Sequence, residues 1–166
     1  MADTKRIAMI TGSFDPITRG HADLIARTAA IFDRVEVVIF RNSEKTPLFS
    51  EEERLLWLSS VCADMTGDIR TAAADGTVVG YAKEKGVNCI VKGIRNGADL
   101  TYEKDMAALN RMAGGPETLF LPTDPTLAHI SSGAVREFLR HGIPAEELLP
   151  PSVSEGIVAA YHKKQH

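Results

Sequence analysis

The sequence contains little cysteine, no excess of positive charge and no long apolar run. Its 166 residues include two cysteines, Cys62 and Cys89, which lie far apart in apolar stretches. This placement is typical of reduced core thiols rather than of a disulfide. The formal net charge of −3 argues against a nucleic-acid partner, which usually requires a basic surface. No apolar run approaches the roughly 20 residues that span a bilayer, and no secretion signal is evident. We therefore expect a soluble, cytoplasmic protein whose partners are neither nucleic acids nor membranes.

Several catalytic signatures are also missing. The sequence has no Walker loop, no Gly-x-Gly-x-x-Gly dinucleotide fingerprint and no Gly-x-Ser-x-Gly nucleophile elbow. No cluster of His, Cys and Asp has zinc spacing, so no metal site built by the protein alone is predicted. Because neither cysteine adjoins a motif, covalent catalysis has little support.

The most informative stretch that is present is Thr11–His21, with the sequence TGSFDPITRGH. The apolar run Ile7–Ile10 precedes it and an amphipathic stretch follows it, which predicts the order strand, glycine turn, helix. Such a helix N-terminus presents free N–H groups and a positive dipole end to an anion. Asp15 is expected to fix the turn by bonding its own backbone, and His21 to donate a hydrogen bond to phosphate. A structural glycine turn with a solvent-facing histidine fits the same spacing, and both hypotheses stay open at this point.

Alternating apolar runs and amphipathic segments predict an α/β fold. Strands are expected at 7–10, 34–40, 68–74, 88–91 and 117–121, and helices at 22–32, 50–66, 78–86, 100–112, 131–140 and from 151 onward. The alternation indicates a Rossmann-like, doubly wound, five-stranded parallel sheet with a C-terminal helical segment, in a single domain over residues 1–166. In such sheets, ligands bind beyond the carboxyl ends of the strands, where the strand order reverses.

Basic residues follow the carboxyl ends of these predicted strands. They are His21, Lys45, Lys92 and Arg95, with Arg136 one turn into a later helix. Phosphoryl and nucleotidyl transfer depend mainly on positioning and electrostatic stabilisation, which require cations from several directions. Any one of Lys45, Lys92 and Arg95 alone is better explained as a solvated loop charge, but their convergence on one edge favours a phosphate site.

The pair Ser131-Ser132 begins a further predicted helix at the same edge of the sheet. A serine there serves commonly as an N-cap and needs no other role. The functional alternative is a second helix N-terminus that offers N–H and hydroxyl donors to phosphate.

The segment GSFDPITRGH resembles the signature of nucleotidyltransferases that carry a T/H-x-G-H motif. From about Ile7 to Leu149 the chain is similar to the bacterial phosphopantetheine adenylyltransferase family, through the segments EKTPLF, VKGIR, ADLTYE, AALNR and HISSG. This resemblance implies transfer of AMP from ATP to 4′-phosphopantetheine, giving dephospho-coenzyme A and pyrophosphate. It also implies Mg²⁺ held mainly through the ATP phosphates, a place as the penultimate step of coenzyme A biosynthesis, and a homohexamer.

The resemblance further implies site residues. The catalytic set would be His21, Ser13, Lys45 and Arg95. ATP would contact Ser13, Phe14, His21, Gly93, Ile94, Arg95, Glu103, Leu127, Ala128, His129, Ile130, Ser131, Ser132 and Gly133. The acceptor would contact Ser13, Lys45, Val78, Lys92 and Asn110. Ser13, Lys92 and Gly133 stand where the family usually has threonine, arginine and serine, so we expect altered affinity rather than an altered reaction.

Two alternative functions share some of these features. Nicotinate mononucleotide adenylyltransferases and cytidylyltransferases carry a similar Gly-x-Phe-x-Pro-x-x-x-Gly-His motif, but the segments VKGIR and ADLTYE argue against them. A nucleotide sensor of similar fold would bind ATP without chemistry. The retained His21, Lys45 and Arg95 argue against a sensor.

Overall fold

The computed structural model describes residues 5–41 and 46–165. The strands are β1 (Ile7–Thr11), β2 (Arg34–Phe40), β3 (Ile69–Ala74), β4 (Cys89–Ile94) and β5 (Glu117–Pro122). The helices are α1 (Arg19–Ala29), α2 (Glu51–Ala63), α3 (Val78–Lys85), α4 (Gly97–Met112), α5 (Ser132–Arg140) and α6 (Pro151–Lys163), with a 3₁₀ turn at Glu146–Leu148. Within these ranges, no helix is both long and apolar enough to cross a membrane.

The five strands form one sheet in the order β3-β2-β1-β4-β5, and every pairing is parallel. The chain builds the sheet outward from β1 to β3 and then returns to place β4 on the other side of β1. The order of the strands therefore reverses between β1 and β4. The predicted Rossmann-like, doubly wound sheet with a C-terminal helical segment is confirmed.

The helices cover the two faces of the sheet unequally. The larger core lies between the sheet and α1, α2, α5 and α6, where residues such as Ile25, Leu58 and Ile157 are fully buried. A smaller core lies under α3 and includes Ala82 and Ile90. Helix α4 contributes no buried residue to either core. The second face is thus the weakly covered one.

Strand β4 is longer than the sequence predicted. It runs to Ile94, whereas the apolar pattern indicated an end at Val91, because Lys92 and the two residues after it pair with β5 in register with Phe120 to Pro122. Lys92 therefore lies in a strand and not in a loop. Its position is set by the sheet.

Side-chain caps set the starts of two helices near the candidate site. A capping box starts α2, since Ser50 and Glu53 each accept the other's backbone N–H. Helix α4 begins at Gly97, three residues earlier than predicted, because the Asn96 side chain accepts the N–H of Asp99 at 3.0 Å. The segment after β4 is therefore a helix start rather than an extended polar loop.

Candidate functional site

A cleft opens beyond the carboxyl ends of β1 and β4, where the strand order reverses. Its volume is about 310 Å³. Its walls come from the β1–α1 connection, the end of β4 and the first turns of α1, α4 and α5. Doubly wound sheets bind ligands at this position. The cleft is therefore the candidate functional site.

The glycine turn, residues 12–18, connects β1 to α1 and forms one wall of the cleft. Phe14 is buried within it at φ 45°, a left-handed conformation that is uncommon for a residue with a side chain. A Cβ on Gly12 would lie 3.1 Å from the Phe14 ring. Gly12 therefore makes room for Phe14, which in turn packs edge-on against the His21 ring with 5.0 Å between ring centroids.

Two arginines from distant helices hold the backbone of the glycine turn. Arg54 of α2 is buried and donates to the carbonyl of Ser13 at 2.7 Å. Arg136 of α5 donates to the carbonyl of Asp15 at 2.6 Å. The sequence grouped Arg136 with the cations of the phosphate site, but it does not line the cleft and instead supports the turn.

Asp15 links the glycine turn to the segment before α2. Its buried carboxylate accepts the backbone N–H groups of Leu48 and Phe49, both at 2.9 Å. Arg136 lies 3.7 Å from the same carboxylate and offsets its charge. The expectation that Asp15 bonds its own backbone is wrong, because its side chain points across to a segment more than thirty residues away in the chain.

His21 is held in one tautomer by the cap of α1. The N–H of Thr18 donates to His21 Nδ1 at 3.1 Å, and the N–H of His21 donates to Thr18 Oγ1 at 3.3 Å. A backbone N–H can only donate, so Nδ1 must be the acceptor. The proton of the neutral ring therefore sits on Nε2. His21 lines the cleft and brings this donor to it.

Burial keeps the His21 ring neutral. Desolvation, together with the smaller effect of the charge of Arg95, lowers the pKa of His21 from 6.5 to about 4. The sequence counted His21 among the cations of the site, and this is wrong at neutral pH. His21 is a hydrogen-bond donor without a net charge.

The two cations on the cleft wall are each paired with a carboxylate. Lys92 Nζ lies 3.0 Å from Thr11 Oγ1 and 3.5 Å from Glu103 Oε2. Arg95 Nε lies 3.0 Å from Asp99 Oδ2. Among the lining residues that the structure describes, positive and negative side chains are thus equal in number. The expected concentration of positive charge is not found in that part of the cleft.

The start of α5 offers backbone donors to the cleft. Ser131 is the N-cap, and its hydroxyl accepts the N–H of Ala134 at 3.0 Å. The Ser132 hydroxyl donates to the carbonyl of Pro16 at 2.7 Å and so ties α5 to the glycine turn. The N–H groups of Ser131 and Ser132 donate to no acceptor within residues 5–41 and 46–165. The Ser132 hydroxyl uses its proton, whereas the Ser131 hydroxyl only accepts, so an anion at this helix start would meet the two N–H groups and the Ser131 O–H.

The structure brings together many of the predicted site residues and leaves others apart. Those on the cleft wall are Phe14, His21, Lys92, Gly93, Arg95, Glu103, Ile130, Ser131 and Ser132. Those that do not line it are Ser13, Val78, Ile94, Asn110, Leu127, Ala128, His129 and Gly133. Lys45 lies outside the described residues. Leu127 is at the rim, since its carbonyl oxygen lies 4.0 Å from a Cβ placed on Gly20, whereas Val78 begins α3 on the other face of the sheet.

Sequence reasoning missed several residues of the cleft wall. They include Thr11, Thr18, Leu24, Asp99 and Thr123. Two had a signal in the sequence. Thr18 precedes His21 by three residues, the spacing of a capping box, and Asp99 follows Arg95 by four residues, the spacing of a helical ion pair.

The cleft and fold define a class of protein, the nucleotide-transferring α/β domains. The family model described as cytidylyltransferase-like matches residues 9–138. A putative nicotinate-nucleotide adenylyltransferase from Vibrio parahaemolyticus superposes with a TM-score of 0.65 at 18% identity, over 93% of this chain and 99% of the other. The nicotinic acid mononucleotide adenylyltransferase of Plasmodium falciparum gives a TM-score of 0.68 at 17% identity, over 95% and 96%. At such identities the likeness concerns the fold.

Sequence relatives identify the particular family. A phosphopantetheine adenylyltransferase from Bifidobacterium longum is 42% identical over 149 residues, covering 89% of each chain. One from Streptomyces coelicolor is 41% identical over 92% of this chain and 95% of its own. One from Symbiobacterium thermophilum is 42% identical over 95% of this chain and 98% of its own. The chain belongs to the phosphopantetheine adenylyltransferase family.

Proposed function

We propose that this chain transfers AMP from ATP to 4′-phosphopantetheine, giving dephospho-coenzyme A and pyrophosphate, the penultimate step of coenzyme A biosynthesis. Membership of the family supports the reaction. The observation that carries the proposal is the composition of the cleft. The His21 donor, the charged groups of Lys92 and Arg95 and the N-termini of α1 and α5 all border one space.

The proposed reaction is an attack by a phosphate oxygen of the acceptor on the α-phosphorus of ATP. A bond forms between that oxygen and the α-phosphorus, and the bond from the α-phosphorus to the oxygen bridging it to the β-phosphorus breaks. The electron pair leaves with pyrophosphate. Since a phosphate monoester is ionised near neutral pH, no protein base is required. Catalysis then rests on positioning and on stabilising negative charge in the transition state.

The residues of the cleft suit this task. His21 would donate its Nε2–H to an oxygen of the reacting phosphate, because the Thr18 N–H on Nδ1 keeps the ring proton on Nε2. Its low pKa keeps the ring uncharged throughout the neutral range. Lys92 and Arg95 would neutralise charge on the phosphates. The N–H groups at the start of α5 would bind a further phosphate. Ser13 and Lys45 keep the roles that the family resemblance implies for them, in contact with the reacting phosphates and the acceptor.

Mg²⁺ is part of the proposal as an ion carried by the nucleotide. In the described parts of the chain, no group of three or more His, Cys, Asp or Glu is placed to hold a metal. The carboxylates of the cleft, Asp99 and Glu103, each face a cation. This donor set fits an ion whose ligands are mainly phosphate oxygens and water. When bound, the ion would offset phosphate charge.

We also propose a homohexamer that works in the cytoplasm. Helix α4 has no buried residue, and several of its apolar side chains are exposed, namely Leu100, Tyr102, Leu109 and Met112. Leu119 of the edge strand β5 is exposed as well. An apolar surface of this kind favours burial against another copy of the chain.

Light scattering tests the assembly and should give a hexameric mass. Leu109→Glu should lower this mass. Leu56→Glu, which lies on exposed α2 surface, should leave it unchanged. A monomeric wild type would exclude the hexamer.

Pyrophosphate release tests the proposed reaction. The purified protein should release pyrophosphate from ATP and Mg²⁺ when 4′-phosphopantetheine is added, and not when nicotinate mononucleotide replaces it. A chelator should abolish the release. Release with nicotinate mononucleotide alone would assign the protein to the other branch of the class. ATP binding without any release would favour a sensor.

A further inference from the structure

Asp99 is a carboxylate on the wall of a cleft that we propose receives a polyanion. It occupies the third position of α4, where its N–H is fixed by the side chain of Asn96. Arg95 follows the end of β4 four residues earlier, so the strand end and the helix start bring the two side chains together. Coulomb repulsion from Asp99 opposes the binding of phosphate, so its position needs a compensating role.

Asp99 holds Arg95 through three hydrogen bonds. Its Oδ2 accepts from Arg95 Nε at 3.0 Å and from the Arg95 backbone N–H at 3.2 Å, and its Oδ1 accepts from Nη2 at 3.3 Å. The carboxylate of Asp99 therefore binds both the side chain and the backbone of Arg95. The looser contact between Lys92 and Glu103, at 3.5 Å, lacks this fixed geometry.

This grip uses one edge of the guanidinium and leaves the other open. A guanidinium has five N–H donors in a planar fork. Asp99 takes the Nε–H and one Nη2–H, and Nη1 donates to no residue in the part of the chain that the structure describes. The remaining Nη1–Nη2 edge is a two-nitrogen fork, the shape that binds phosphate in a bidentate manner.

We infer that Asp99 is a positioning residue of the transfer reaction, which holds the Nε–Nη2 edge of Arg95 so that its open edge is presented to a phosphate of the nucleotide. The inference rests on the proposed function. A correctly oriented Arg95 stabilises the transition state and so raises kcat. The negative charge of Asp99 weakens the binding of ATP and so raises KM for ATP. Loss of Asp99 should therefore change the two constants differently.

The test replaces Asp99 with its neutral isostere. The hydrogen bond from Arg95 holds the pKa of Asp99 below its usual value, so the native group is ionised and Asp99→Asn removes a full charge. We expect kcat to fall about 10- to 100-fold, as for a misplaced catalytic group, with KM for ATP unchanged or lowered. Asp105→Asn is the matched control, because Asp105 is exposed on the same helix and its loss changes the net charge equally. Its kcat should stay within about twofold of wild type.

A second background shows whether Asp99 acts through Arg95. In an Arg95→Met protein, Asp99→Asn should change kcat by less than about twofold, because the group it positions is gone. An equal loss in both backgrounds, or a raised KM with unchanged kcat, would overturn the inference. Should Asp99→Asn not fold, Asp99→Glu, which displaces the carboxylate by one methylene, should also lower kcat, and wild-type kcat in that variant would count against the role. Failure of the wild type to release pyrophosphate would instead refute the proposed function.

Discussion

Replacement of His21 by glutamine tests whether a neutral imidazole works in the cleft. Glutamine at the third position of a helix is a capping-box residue and can still accept the N–H of Thr18. The variant therefore keeps the cap of α1 and replaces the titratable ring, which holds its Nε2–H in a fixed place, with a flexible amide. We expect kcat for pyrophosphate release to fall about 10²–10³-fold, as for the loss of a donor to the transition state. ATP affinity should change much less.

The lowered pKa of His21 also predicts a pH dependence of stability. In the unfolded chain His21 gains a proton below about pH 6.5, whereas in the folded protein it does so only below about pH 4. The unfolded state thus binds more protons in this window, so stability is lost as the pH falls from 6.5 toward 4. A shift of about 2.5 units at 1.36 kcal/mol per unit makes this loss about 2 kcal/mol at pH 5 and about 3 kcal/mol at pH 4. Above pH 7 the ring contributes nothing of this kind.

Urea unfolding followed through the fluorescence of Trp57, the single tryptophan, measures this difference. Wild type and His21→Gln are compared at pH 7, 6, 5 and 4, and the other histidines cancel because both proteins contain them. The free energy of unfolding of wild type should fall more steeply than that of the variant by the amounts above. Two curves that run parallel from pH 7 to pH 4 would refute the neutral, desolvated ring. So would an imidazole ¹⁵N signal of His21 that titrates near pH 6.5.

Two further substitutions test the cap of α1 and the packing of the turn between α4 and β5. Thr18→Val removes the side-chain acceptor of the α1 cap and should cost about 1 kcal/mol of stability in urea unfolding. The backbone N–H of residue 18 still donates to His21 Nδ1, so the tautomer and kcat should be kept. A large fall in kcat would show that the Thr18 hydroxyl is also needed to place the ring. Gly115→Ala would place a Cβ 2.8 Å from the carbonyl oxygen of Asn110. It should lower the free energy of unfolding by about 1–3 kcal/mol, whereas Gly97→Ala, where nothing lies within 4 Å, should not.

The sequence predicted the fold well because the signals for it are local. Each apolar run became a strand, and the helices expected at 50–66 and 78–86 form at Glu51–Ala63 and Val78–Lys85. The sequence placed the end of β4 too early, because Lys92 and Gly93 do not continue the apolar pattern. They belong to the strand because they pair with β5.

The candidate site was predicted in outline but not in its electrostatics. Lys92, Arg95 and Ser131 all lie at or after the carboxyl ends of parallel strands. Because the alternation of strands and helices predicts a parallel sheet, the sequence alone places them at the same edge. The protonation state of His21 depends on burial, which no local pattern reveals. Asp15 likewise shows no sign in the sequence that its partners lie at Leu48 and Phe49. Such long-range contacts are fixed only when the loops fold against each other.

The absence of buried residues from α4 has a consequence for how the protein opens. Local unfolding is cheapest where few apolar contacts must be broken, so in a chain without a partner the amide hydrogens of α4 and of the edge strand β5 should exchange with solvent before those of α1 and α2. In an isolated chain, the helix that contains Asp99 and Glu103 would be the first to unfold locally. Slow exchange along α4 in the native protein would show that another surface covers it.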